Sequence, residues 1–142
     1  MERIETTAIR NLIHNEEYCR KVLPFIKEEY FIDRLEKLIF TEIYKFVNKY
    51  NNLPTKESLS IEMNTNKGVS EDEYKKMNEI ISSLNPEPIN LDWLVETTEV
   101  WCKDRAIQRH YLFHLTRKSG MIIYLNQKND MIITIEKKND LN

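Results

Sequence analysis

Glycine occupies only two of 142 positions, Gly68 and Gly120. Average usage of about 7% would place roughly ten in a chain of this length. So few glycines disfavour sheet-rich folds with many tight turns and favour long helices. They also remove a class of function. Neither GxGxxG nor GxxxxGK(S/T) can be written with two distant glycines, so no nucleotide phosphate is cradled by either loop. The length suits one domain, and a hydrophobic fraction of 41% is enough for a core despite 31% charged residues.

Apolar spacing predicts a succession of helices. Ile4, Ala8, Ile9, Leu12 and Ile13 share one face of a first helix over 3–13, and His14-Asn15 breaks it. A short second helix is expected from Glu16 to Leu23, followed by a connector through Phe31. Asp33 then opens a long helix, with Asp33 and Glu36 at the spacing of a capping box. Leu35, Leu38, Ile39, Ile43, Phe46, Val47 and Tyr50 form its apolar stripe, which Asn51-Asn52-Leu53-Pro54 ends. Thr55 caps a short helix through Met63, and Asn64 to Gly68 form a loop. Ser70-Glu71-Asp72-Glu73 is a second capping box, flanked by Val69 and Tyr74 at the staple positions. Tyr74, Met77, Ile80, Ile81 and Leu84 supply the buried face of that helix, and Asn85-Pro86-Glu87-Pro88 stops it. Asn90 caps a last long helix that continues at least to Arg109, with Leu91, Leu94, Val95, Thr98, Trp101 and Cys102 on one face. The expected fold class is an all-α compact bundle of six helices.

The tail differs. Residues 121–125 and 131–135 are β-branched runs about a five-residue turn, the pattern of a short hairpin. The expected organisation is a helical domain over 1–109 and a divergent tail over 110–142. Charge divides in the same region. Residues 1–102 carry 13 basic and 19 acidic side chains, net −6, and residues 103–142 carry 8 and 4, net +4. An acidic body argues against broad contact with a phosphate backbone, so nucleic acid would be met weakly, indirectly or through the tail.

No stretch approaches the roughly 18 apolar residues of a membrane span, and the charged N-terminus lacks the core of a signal peptide. Cys19 and Cys102 form no CxxC pair and read as reduced thiols, so the expected location is the cytoplasm. His110 and His114 stand four apart, but Tyr111 replaces the glutamate of the zinc-protease motif and no third ligand lies near. No metal or cofactor is expected. The carboxylates cluster where helix N-termini and solvated faces favour them, no serine lies in GxSxG, and no catalytic residue is assigned. Trp93, Trp101, Tyr111 and Phe113 crowd the segment that carries Arg105 and Arg109. Three readings stay open there: tryptophans in the core with arginines in solvent, a protein hot spot, or a nucleic-acid platform.

The order of these segments resembles a known family. Tyr30-Phe31 leads into a helix ending Tyr50-Asn51-Asn52-Leu53-Pro54-Thr55; Glu71-Asp72-Glu73-Tyr74 precedes Ile80-Ile81-Ser82-Ser83-Leu84. Asp92-Trp93-Leu94-Val95-Glu96-Thr97-Thr98-Glu99 is followed by Asp104-Arg105-Ala106. Over about residues 4–109 this is similar to the N-terminal domain of T-even-type phage replicative DNA helicases, the phage branch of the DnaB-like hexameric helicases. The resemblance implies a helical, non-catalytic domain that self-associates as a dimer or part of a hexamer, builds a ring collar and contacts primase and helicase loader. It puts Trp93, Leu94, Trp101, Arg105 and Arg109 where pairing occurs. After about His110 the similarity ends, and the family's ATPase domain has no counterpart here, as in a truncated or frameshifted helicase gene or a small paralogue. The alternative is a small DNA-binding regulator that uses the basic tail.

Overall fold

The computed structural model describes residues 2–119, 122–125 and 131–134, with side chains over 2–112. Among these the fold is all-α, as expected, with six helices: α1 (Ile4–His14), α2 (Glu16–Val22), α3 (Arg34–Tyr50), α4 (Lys56–Thr65), α5 (Glu71–Ser83) and α6 (Leu91–Ser119). A 3-10 turn, Glu28–Tyr30, sits in the connector before α3. Strands β1 (Ile122–Leu125) and β2 (Met131–Thr134) pair antiparallel, Ile122 opposite Thr134. The intervening residues 126–130 and those after 134 lie outside the described residues.

Polar caps set where the helices begin. The Asn15 side chain accepts from the Tyr18 amide at 3.0 Å, Asp33 from the Leu35 and Glu36 amides at 2.9 and 3.0 Å, and Asn90 from the Trp93 amide at 3.0 Å. Each satisfies one or more of the amides that a helix start leaves without an intrahelical acceptor. Ser70 and Glu73 form the expected reciprocal box. Thr55 forms one too, with Ser58 as the answering side chain. The box expected at Asp33 is only half made. Glu36 does not reach back; it is buried and pairs with Arg3. Asn51 ends α3 in the left-handed region, φ 53°, where asparagine is among the few residues readily accommodated.

Helix α1 lies at the centre and packs on α2, α3 and α6, with Ala8, Ile9, Leu12 and Ile13 buried. Helix α3 carries α4 and α5 on its far side. Its buried face is Ile39, Phe40 and Ile43, while Leu35, Leu38 and Val47 are partly covered and Tyr50 is exposed. Phe40 was not part of the expected stripe. It belongs to the core because Phe31, in the connector, stacks on it with ring centroids 4.9 Å apart. Met77, Ile81 and Leu84 of α5 are buried as expected. His14 Nε2, 2.6 Å from the Leu84 carbonyl oxygen, ties the end of α1 to the end of α5.

The two faces of α4 make a direct stability test. Leu59 is wholly buried and Ile61, two residues on, is 60% exposed. We expect Leu59→Ala to cost about 2–5 kcal/mol through lost contacts and the cavity left behind. Ile61→Ala should stay within about 0.5 kcal/mol. Urea denaturation followed by circular dichroism measures both, and equal losses would contradict this packing.

Candidate protein-interaction surface

Helix α6 is the longest element, 29 residues, or about 43 Å. Its buried face is Leu94, Thr98, Trp101, Cys102 and Arg105, with Leu91 and Val95 partly covered. That face packs on α1, α2 and the 3-10 turn. Trp101 meets Phe31 edge-on at 5.2 Å and Tyr30 at 6.3 Å. Its indole Nε1 is buried without a hydrogen-bond partner among the described residues. Thr98 donates to the Leu94 carbonyl at 2.7 Å, which leaves its oxygen to accept from the Tyr18 hydroxyl, also at 2.7 Å. Burial pushes the Tyr18 hydroxyl's pKa well above its ordinary value, so it remains a donor.

The five expected site residues separate. Leu94, Trp101 and Arg105 belong to the buried face, and Trp93 and Arg109 lie outside it. Tryptophans in the core with arginines in solvent, the first of the three readings, holds for only one residue of each type. One tryptophan is core and the other is 54% exposed; one arginine is buried and the other is in solvent. The Arg105 guanidinium is 3.0 Å from Glu5 of α1, with both side chains almost fully covered. Arg109 donates to the Glu29 carbonyl at 3.1 Å and lies 3.7 Å from its carboxylate, which fastens α6 to the 3-10 turn. A lone sequence could not place Arg105 inside, because its partner stands 100 positions away.

What α6 presents outward is a second apolar stripe. Trp93, Val100 and Ile107 repeat every seven residues, Tyr111 follows four later, and all four are more than half exposed. Seven residues is nearly two helical turns, so these side chains share one face. The period of seven was available in the sequence; which of the two apolar faces would be covered was not. Between α6 and the connector, Phe25, Tyr30, Glu99, Cys102, Lys103 and Ala106 line a cleft of about 410 Å³.

Among the described residues, no group of three or more His, Cys, Asp or Glu side chains is placed to hold a metal ion. His110 is exposed. The side chain of His114, like those of Arg117, Lys118, Lys128, Lys137 and Lys138 on which the DNA-binding alternative depends, lies outside the described residues. No described helix is long and apolar enough to cross a membrane.

No protein-family profile matches the chain. A DnaB-like replicative helicase of Enterobacteria phage T4 is 32% identical to it over 99 residues, which are 70% of this chain and 21% of the helicase. The chain is related to a phage DnaB-like replicative helicase. It spans about a fifth of the length of that relative.

Two predictions follow from the buried face of α6. Arg105→Met strands the Glu5 carboxylate and should cost about 3–5 kcal/mol, whereas adding Glu5→Leu should recover most of that loss. A double-mutant cycle by urea denaturation measures the coupling, and independent additive losses would contradict the pairing. Burial pushes the thiols of Cys19 and Cys102 up to about 11 and about 12 from an ordinary value near 9. Above pH 9 the unfolded chain therefore releases thiol protons that the native chain keeps, so stability falls as pH rises toward 11. Cys19→Ala/Cys102→Ala should flatten that decline in urea titrations at stepped pH; an unchanged slope would refute it.

Proposed function

We propose that this chain is a non-catalytic assembly and protein-interaction domain of the replicative-helicase kind, which self-associates through α6 and offers its helical body to primase and loader proteins. One observation carries the reading: the stripe Trp93, Val100, Ile107 and Tyr111, exposed along a helix whose opposite face is already packed. Exposed aromatic and aliphatic groups in a row on a rigid helix are the anchors from which protein interfaces are built, and tryptophan is the most enriched residue at their energetic centres. The relationship to the phage helicase supports the same class of function. In a ring of subunits, such a domain would hold neighbours together, and the hydrolysis of ATP would belong to other parts of the assembly.

Sedimentation velocity across a micromolar concentration series tests this. The chain should self-associate, Trp93→Ala should weaken the association about thirtyfold, roughly 2 kcal/mol, and Ile107→Asp should do at least as much. Melting temperatures should hardly move, since both side chains lie in solvent. Co-expression of residues 1–142 with the cognate helicase should reduce its unwinding, because these residues hold no phosphate-binding loop with which to take part in hydrolysis around the ring. A strict monomer at high micromolar concentration, with no binding to helicase or primase, overturns the reading.

A further inference from the structure

We infer that the acidic, tryptophan-bearing start of α6 docks onto the basic face of α3 in a second copy of the chain, with Trp93 seated in the groove beside Tyr44. The inference rests on α6 being the self-association helix and names what that helix meets.

Helix α3 segregates its charges. Its two carboxylates, Glu36 and Glu42, are both buried, while its cations Arg34, Lys37, Lys45 and Lys49 all lie outside the buried set. Arg34 is occupied by Glu73 at 2.8 Å and the Gly68 carbonyl at 3.2 Å. The three lysines stand at i, i+8 and i+12 with Thr41, Tyr44 and Asn48 among them. Lys45 lies 3.6 Å from Glu42, and Glu62 of α4 borders the Lys45–Lys49 end. The positive charge of this face is therefore carried chiefly by Lys37 and Lys49, with no exposed carboxylate of its own helix. This occurs in a segment, residues 1–102, whose net charge is −6. Beside Tyr44 a groove of about 310 Å³ runs between α3 and the connector, lined by Pro24, Ile26, Lys27, Phe40, Thr41 and Tyr44. Glu28 also borders it, and its carboxylate accepts from the Thr41 hydroxyl at 2.9 Å.

The start of α6 is the converse. Trp93 projects 54% exposed, with Asp92, Glu96 and Glu99 around it, all exposed and without an ion-pair partner among the described residues. Each surface thus has an apolar centre flanked by charge, basic on α3 and acidic on α6. Two α6 helices laid together would instead bring these carboxylates and Asp104 toward one another unless the register avoided it. Nor can one chain make the contact within itself, because α6 packs on α1, α2 and the 3-10 turn through the face opposite Trp93. The contact joins a different patch on each copy, so it either closes reciprocally as a twofold dimer or repeats head to tail into rings or chains.

The test uses two variants of the full chain. Lys37→Glu/Lys49→Glu removes the receiving face while leaving Lys45 on Glu42, and Trp93→Ala removes the giving one. Each alone should lose at least tenfold in self-association, with circular dichroism and melting unchanged. Mixed, they should form a 1:1 dimer that goes no further, because one intact pair of faces remains. The parent's association should weaken between 50 and roughly 300 mM salt, as charges on a solvated surface are screened over about 10 Å at 0.1 M. Replacing the lysines by glutamine, which keeps much of the stems, should give a smaller loss in the same direction. If Trp93→Ala dissociates the chain while the α3 variant associates like the parent, α6 still mediates assembly but α3 does not receive it. A mixture that stays monomeric likewise overturns the inference. So does an α3 variant that loses affinity for a single-stranded oligonucleotide and keeps its self-association. A parent monomeric throughout removes this inference together with the function on which it rests.

Discussion

The contact of Trp101 with Phe31, and of Phe31 with Phe40, joins the two sides of this molecule. Helix α6 reaches α1, α2 and the 3-10 turn, and α3 carries α4 and α5. The three rings bridge these groups through the connector, edge to face at 5.2 Å and then stacked at 4.9 Å. Both geometries are ones that aromatic quadrupoles favour, and each large ring buries much apolar surface. Phe40 in turn lies 6.2 Å from Tyr44, so the series ends at the solvent-facing groove on α3. Phe31 is thus a partner that Trp101 and Phe40 share, and the Tyr30–Trp101, Thr41–Glu28 and Arg109–Glu29 contacts hold the same connector in place.

Polar contacts then settle how α6 is turned. Apolar burial alone is indifferent to rotation on this helix, since it has apolar residues on two faces and Trp93, Val100 and Ile107 could cover a core as well as Leu94 and Trp101. The Glu5–Arg105 pair and the Tyr18–Thr98–Leu94 hydrogen bonds remove that freedom. Turning α6 by a single residue, about 100°, would break both and leave a buried carboxylate and guanidinium unpaired, a penalty of several kcal/mol. The outward stripe is thus a consequence of what lies beneath it.

Local signals in the sequence were largely accurate. Asp33, Thr55, Ser70 and Asn90 cap helices as read, Asn15, read only as a break, also caps α2, and the inward faces of α5 and α6 were legible from spacing, because caps and amphipathic stripes involve residues a few positions apart. Failures occurred where the deciding partner is remote. Glu36 had a local role available as the answering residue of a capping box, but Arg3, 33 positions away, claims it, and burial pushes its carboxyl up from the ordinary range. Phe40 needed Phe31, and Arg105 needed Glu5. At the candidate surface, all five expected residues lie on α6, and only the packing of that helix could separate Trp93 and Arg109 from Leu94, Trp101 and Arg105. Val100 and Ile107 had no distinguishing neighbour and emerged only once the covered face was known.

The same burial that hid Glu36 and Glu42 determines the character of α3 outside. A helix with four cations and two carboxylates would present a mixed face if all six were exposed; with both carboxylates drawn inward it presents cations alone. Arg3 neutralises Glu36 from α1's side, and Lys45, 3.6 Å from Glu42, neutralises the other only in part from the solvent side. The outward potential of α3 is therefore set by the burial of its carboxylates, just as the outward stripe of α6 is set by Glu5 and Arg105. Because Arg3 stands at the cap of α1 and Glu5 in its first turn, that segment directs a half-exposed ion pair toward α3 and a buried one toward α6, and a change there would be felt on both surfaces at once.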